Sequence, residues 1–193
     1  MKVVAVNGSA RKDGNTATLL RSALAPLEAA GHDCELVQLA AKDVRGCTAC
    51  ARCRDIGDGR CHGRADDINQ LIVDVLAADA LLLGSPTYFA DITPELKALI
   101  DRAGYVARGV SGGNPLARKL GAAVFAVRRG GAIHAFDSIN HFFLISEMVV
   151  VGSSYWNLGV GGAKGAVEQD AEGLATMRTL GDNIAWLAAR MGL

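Results

Sequence analysis

The sequence predicts an α/β protein with a doubly wound, five-stranded parallel sheet of order 2-1-3-4-5 and helices on both faces. Three observations carry this. Short apolar runs of strand character alternate with longer segments of helical period, two of those runs break into glycine-bearing loops, and no internal repeat or low-complexity tract interrupts the alternation. Half of the 193 residues are hydrophobic, enough for one good core and too few for two, so residues 1–193 read as a single domain with a cysteine-rich insertion at about 44–65.

The strands are expected at Val3–Asn7, Asp33–Leu39, Ala80–Leu83, Gly121–Val127 and Met148–Gly152. The first helix should run from Asn15 to Ala30, because Leu19, Leu20, Leu24 and Leu27 recur on one face. A second, from Asp66 to Ala77, buries Ile68, Leu71, Ile72 and Val75, and its leading Asp66-Asp67 suits capping and dipole compensation. The third starts at Thr93, an N-cap followed by Pro94 at the first helical position, and turns Leu96, Leu99 and Ile100 inward. The fourth spans about Ala132–Glu147, and the last about Asp170–Met191.

Twenty basic and twenty acidic residues cancel, so charge supplies no general pull toward nucleic acid or an anionic membrane. No apolar stretch reaches the ~18 residues of a membrane span, and the run after Met1-Lys2 is too short for a signal segment. The expectation is a cytoplasmic protein.

In a sheet of this kind ligands bind beyond the carboxyl ends of the strands, at the switch point. The loop after strand one, Asn7-Gly8-Ser9-Ala10-Arg11-Lys12-Asp13-Gly14-Asn15-Thr16, meets the positive end of a helix and suits a phosphate. Ser9 and Thr16 bring hydroxyls, Asn15 an amide and Arg11 a charge. No Lys-Ser or Lys-Thr follows Gly14, which disfavours a nucleoside triphosphatase. The loop after strand three, Gly84-Ser85-Pro86-Thr87-Tyr88-Phe89, pairs a stiff turn with two aromatics and suits a flat heteroaromatic ring. The amides of Thr87 and Tyr88 are expected to be free to bind the pyrimidine edge of an isoalloxazine.

Together the two loops resemble those of the flavodoxin-like NAD(P)H-dependent FMN reductase superfamily, and the resemblance continues through Pro94–Arg102 and Arg128-Arg129-Gly130-Gly131. It implies a flavodoxin-like fold in which Ser9, Arg11, Asn15 and Thr16 take the FMN phosphate, while Pro86, Thr87, Tyr88 and Phe89 take the ring. Arg129, Gly130 and Gly131 would line the third side, although Arg128 and Arg129 are not distinguished by sequence. An arginine near the flavin N1/O2 edge would favour the anionic reduced ring.

Four of the five cysteines crowd into Cys47-x2-Cys50-x2-Cys53-x7-Cys61, between the second strand and second helix, in a chain without a secretory signal. Such spacing can wrap a cubane. It is similar to the compact motif of the iron-sulfur flavoproteins, a branch of the same superfamily related to quinone oxidoreductases of the tryptophan-repressor-binding-protein type, and implies a [4Fe-4S] cluster on those four thiolates. Zinc, free thiols and a cysteine-rich lid without a cluster fit the spacing as well. Cys34 reads as a core residue.

No side-chain acid or base is singled out as catalytic. His32, His62, His134 and His141 are scattered, and no G-x-S-x-G context supports a hydrolase. The expected function is an oxidoreductase passing electrons from NAD(P)H through FMN to a quinone, a flavin or an iron-sulfur acceptor. A one-electron carrier serving a ferredoxin-like protein, and a weak flavin binder with a sensing role, are the alternatives. Tyr155–Gly162 is expected to form either a subunit contact in a homodimer or homotetramer or the far wall of the flavin pocket.

Overall fold

The computed structural model describes residues 1–193. In chain order the elements are β1 (Lys2–Asn7), α1 (Asn15–Ala29), β2 (Asp33–Gln38), α2 (Arg52–Ile56), α3 (Ile68–Ala77), β3 (Ala80–Pro86), α4 (Pro94–Ala107), β4 (Leu120–Val127), α5 (Ala132–Ile145), β5 (Val149–Val150), β6 (Leu158–Val160), a 3-10 turn (Ala166–Gln169) and α6 (Ala171–Met191). The strands form one parallel sheet of order β2-β1-β3-β4-β5, with β6 also paired to β4. This is the flavodoxin-like arrangement.

Alternation along the strands divides the core in two. Val4, Val6, Leu81, Leu83, Ala123 and Phe125 face α3, α4 and α5, whereas Val3, Ala5, Leu82, Ala122 and Val124 face α1 and α6. Both faces are covered, as a parallel sheet requires. No helix is long and apolar enough to cross a membrane.

Four elements depart from the sequence expectation. The fifth strand position is not one run over Met148–Gly152 but two short pieces: β5 pairs with the start of β4 and β6 with its end. The chain swings out between them through Gly152–Asn157, and an edge position demands pairing on one side only. β3 continues through Gly84 and Ser85 to Pro86, which pairs with Ala126, because a proline at a strand's end forfeits no needed ladder bond. The cysteine segment contains a one-turn helix, α2, that was not expected. Finally, Asp66 and Asp67 do not cap α3, whose N-cap makes no side-chain bond. Asp67 accepts from the Asp43 amide at 2.7 Å, and Asp66 is buried against Arg102.

Thr93 does cap α4, accepting from Leu96 N at 3.4 Å with Pro94 in the first turn. Its hydroxyl also donates to the Gly8 carbonyl at 2.8 Å, which ties α4 to the loop after β1. A Cβ at Gly8 would lie 2.9 Å from Leu96 Cβ and 3.0 Å from the Gly84 carbonyl, so only glycine lets the two loops approach this closely.

Candidate flavin and cysteine sites

The carboxyl ends of β1, β3 and β4 open on a cleft of about 230 Å³. Ser9, Arg11, Asn15 and Thr16 line one side, Pro86, Thr87 and Tyr88 another, and Ala126, Arg128, Gly161 and Gly162 the third. Gly14 offers no side-chain cap to α1, so the first-turn amides are left for a ligand. Ser9 is buried, receives the Arg11 amide on Oγ at 3.1 Å and keeps its own proton available. Thr16 Oγ1 and Thr87 Oγ1 are buried without any hydrogen-bond partner. Both residues line the one cleft, and a pair of unpaired hydroxyls there fits a ligand with acceptor groups at both ends, such as the phosphate and ring of FMN.

Asn15 lines the cleft, and its side chain is engaged within the chain. Its Nδ2 donates to the carbonyls of Gly161 and Ala163 at 2.8 and 2.9 Å, and its Oδ1 accepts from Val167 N at 3.4 Å. The side chain fastens the far wall, leaving its backbone amide for the ligand. The amides of Thr87 and Tyr88 are likewise engaged, by the carbonyls of Ala126 and Asp91 at 2.9 Å each. Tyr88 lines the cleft half-exposed, while Phe89 is fully exposed and stands outside it.

At the end of β4 it is Arg128 that lines the cleft; Arg129 and Gly130 lie exposed beyond it. Gly131, at φ 88°, precedes α5 and packs its Cα side toward Thr87. Of the segment Tyr155–Gly162, only Gly161 and Gly162 reach the cleft, and Tyr155 and Trp156 remain more than half exposed. Ala10 and Ala126 were not singled out in the sequence, and Arg128 was named there without being distinguished from Arg129.

Cys47, Cys50, Cys53 and Cys61 line a second cavity together with Arg64, Arg102, Tyr105 and Val106. The loop that brings them together is strained: Ala49 and Ala51 hold φ of 53° and 62°, in the left-handed region. That conformation turns amides toward sulfur. Ala49 N donates to Cys47 Sγ at 3.4 Å, and the Arg52 amide, followed by the Thr48 hydroxyl, holds the Cys50 thiol below its ordinary range. A Cβ at Gly63 would sit 2.6 Å from Cys50 Sγ, so a side chain there would intrude on the thiol. Burial, then the neighbouring Cys61, Cys47 and Cys50, push the Cys53 thiol up. No three cysteine, histidine or carboxylate groups are close enough together to hold a single metal ion. The four thiols share one chamber without converging on a point. Cys34, in β2, lies outside it, partly buried.

Arg102, fully buried in α4, anchors the loop. It donates to Asp66 Oδ2 at 2.5 Å, to the Arg45 carbonyl at 3.0 Å and to Asn69 Oδ1. Burial opposes its charge, but Asp66 and Cys61 together more than offset this and hold the guanidinium above its ordinary range.

A family model described as NADPH-dependent FMN reductase matches residues 1–163. An iron-sulfur flavoprotein of Methanocaldococcus jannaschii is 38% identical over 192 residues, 96% of each chain. Among solved structures, RosB with a bound 8-demethyl-8-formylriboflavin-5'-phosphate intermediate superposes with a TM-score of 0.80 at 19% identity, covering 100% of this chain and 80% of its own. A flavodoxin from the domain Archaea does so with a TM-score of 0.64 at 16% identity, covering 98% and 99%. The chain therefore belongs to the NADPH-dependent FMN reductase family of flavin-dependent oxidoreductases and groups with the iron-sulfur flavoproteins.

Proposed function

We propose that this oxidoreductase takes electrons from NAD(P)H on FMN held in the β1–β3–β4 cleft and passes them through a [4Fe-4S] cluster held by Cys47, Cys50, Cys53 and Cys61 to a small acceptor such as a quinone or flavin. The single observation that carries the reading is the pair of buried, unpartnered hydroxyls of Thr16 and Thr87 in one cleft. When bound, FMN supplies a centre that accepts hydride at N5 and releases electrons singly, and a cluster supplies a one-electron acceptor.

The chain's own residues bind and tune. Thr16, Ser9 and the first-turn amides of α1 hold the phosphate, with Arg11 offsetting its charge. Pro86, Thr87 and Tyr88 border the ring, and Arg128 supplies positive charge at the remaining side. Four thiols around one chamber suit a cluster. The relatives' name supports the same choice.

The test is anaerobic purification followed by a visible spectrum, iron and acid-labile sulfide analysis, and titration with NADH and NADPH. Flavin bands that bleach with a reduced nicotinamide, together with about four irons and four sulfides per chain, are the expected result. Equimolar zinc without sulfide would remove the cluster from the scheme. A flavin that neither nucleotide reduces would leave a one-electron carrier.

A further inference from the structure

Arg102 has four of its five N–H groups on its two terminal nitrogens, and the fork they make is occupied by Asp66, the Arg45 carbonyl and Asn69. Its Nε–H has no partner within the chain, although the residue is 1% exposed. A buried N–H left unsatisfied costs about 1–3 kcal/mol. Such a donor in a native core calls for an acceptor.

The guanidinium lines the cysteine cavity. The rest of that lining narrows the choice of acceptor: Val106 and Ala51 are hydrocarbon, Arg64 is itself a donor with an unpartnered buried Nε, the hydroxyls of Thr48 and Tyr105 are engaged with Cys50 and Arg54, and four sulfurs remain. Cys61 lies beside the Arg102 guanidinium and helps to hold its charge, while Nε itself has no partner. Asp66, with its side chain fully buried, cancels most of the arginine's charge. What Arg102 offers the cavity is therefore a directed N–H more than a net positive charge.

We propose that Arg102 is a positioning residue for the iron-sulfur centre, donating Nε–H to a sulfur of the loaded cavity and thereby raising the centre's reduction potential. Hydrogen bonds to cluster sulfurs withdraw electron density and favour the reduced state. The anchoring bonds to Asp66, Arg45 and Asn69 fix the aim of that N–H, so the same side chain both closes the cysteine loop and tunes what it holds. This inference rests on the cluster reading above.

The test uses the anaerobically prepared, full-length protein. Iron and sulfide in the wild type come first: their absence overturns the cluster reading, independently of Arg102. With a loaded wild type labelled with Nε-15N arginine, pulsed electron paramagnetic resonance of the reduced centre should show a 15N coupling that Arg64→Lys retains and Arg102→Lys loses. Redox titration of Arg102→Lys, which keeps a positive charge but not the Nε donor, should give a midpoint shifted to more negative potential at unchanged iron and sulfide content. Asn69→Ala, which loosens the anchor but leaves the donor, should move the midpoint less. A wild-type centre without 15N coupling, a coupling that survives Arg102→Lys, or an unchanged midpoint in a loaded Arg102→Lys protein overturns the proposal. Should Arg102→Lys fail to fold or load, the coupling in Arg64→Lys decides: its persistence supports the proposal and its loss overturns it.

Discussion

A buried hydroxyl without a partner destabilises a fold by about 1–3 kcal/mol, and Thr16 carries one at the start of α1. Thr16→Val removes it at nearly constant volume. The ligand-free protein should then melt at the same or a higher temperature, while FMN binding weakens roughly 10- to 100-fold, the worth of a hydrogen bond to a charged group. Calorimetric titration and a thermal melt check both signs; a variant that loses stability and keeps affinity would show the hydroxyl to be structural. Arg128 and Arg129, equivalent on sequence, separate by place, since only Arg128 lines the cleft. Arg128→Ala should weaken FMN binding roughly two- to fivefold, the small effect expected of an exposed charge, and Arg129→Ala should not. Cys34 has a pH signature of its own. Burial first, then Glu28 and Asp33, push its thiol from an ordinary 9.0 to about 11. The raised value stabilises the fold below pH 9, and that contribution is lost as pH rises toward 11. Alkylation of Cys34, followed by mass spectrometry, should keep accelerating up to pH 11 in the folded chain and level off near 9 in the unfolded one.

Elements whose causes are local were legible in the sequence. The start of α4 was one, because Thr93 and Pro94 carry their own capping chemistry. The fifth strand position was not, because where Met148–Val160 pairs is settled by the β4 edge, far away in sequence, and not by its own alternation. Asp66 was misread for the same reason: a carboxylate ahead of a helix looks like a cap until Arg102 arrives from α4. The cysteine loop lies between these cases. Its spacing announced a shared chamber, but the left-handed Ala49 and Ala51 that aim the amides at sulfur leave no mark in a sequence that places alanine there. A non-glycine residue in that region costs roughly 1–2 kcal/mol, against roughly 0.5–1 kcal/mol of extra chain entropy for glycine. Ala51→Gly should therefore stabilise the metal-free chain by about 0.5–1 kcal/mol in chemical denaturation, and Ala51→Val, whose branched side chain tolerates the conformation worse, should destabilise it. Should Ala51→Gly lose stability, the alanine methyl is packed for a reason other than the turn.

At the scale of the whole molecule, the flavin cleft is closed by contacts between the two ends of the chain. The loop after β1 was recognisable, yet the wall opposite comes from Gly161 and Gly162, and the two are joined by Asn15 across 146 and 148 residues. No periodicity or spacing reveals such a bond, so the clamp made by the Asn15 side chain was not legible in the sequence. The same geometry separates two kinds of failure. The Thr16 hydroxyl bonds to nothing within the chain, so removing it should spare the fold. Asn15→Ala instead abandons the carbonyls of Gly161 and Ala163 and the Val167 amide. With the carbonyls near enough to solvent to recover part of the loss, the cost should be about 1–3 kcal/mol of stability. FMN affinity should fall with it, because the third wall is no longer held against the phosphate loop. Hydrogen exchange should then show faster opening at residues 161–167 in Asn15→Ala but not in Thr16→Val. Equal protection of that segment in the two variants would mean that the wall stands without its clamp, and that Asn15 meets the ligand with its side chain after all.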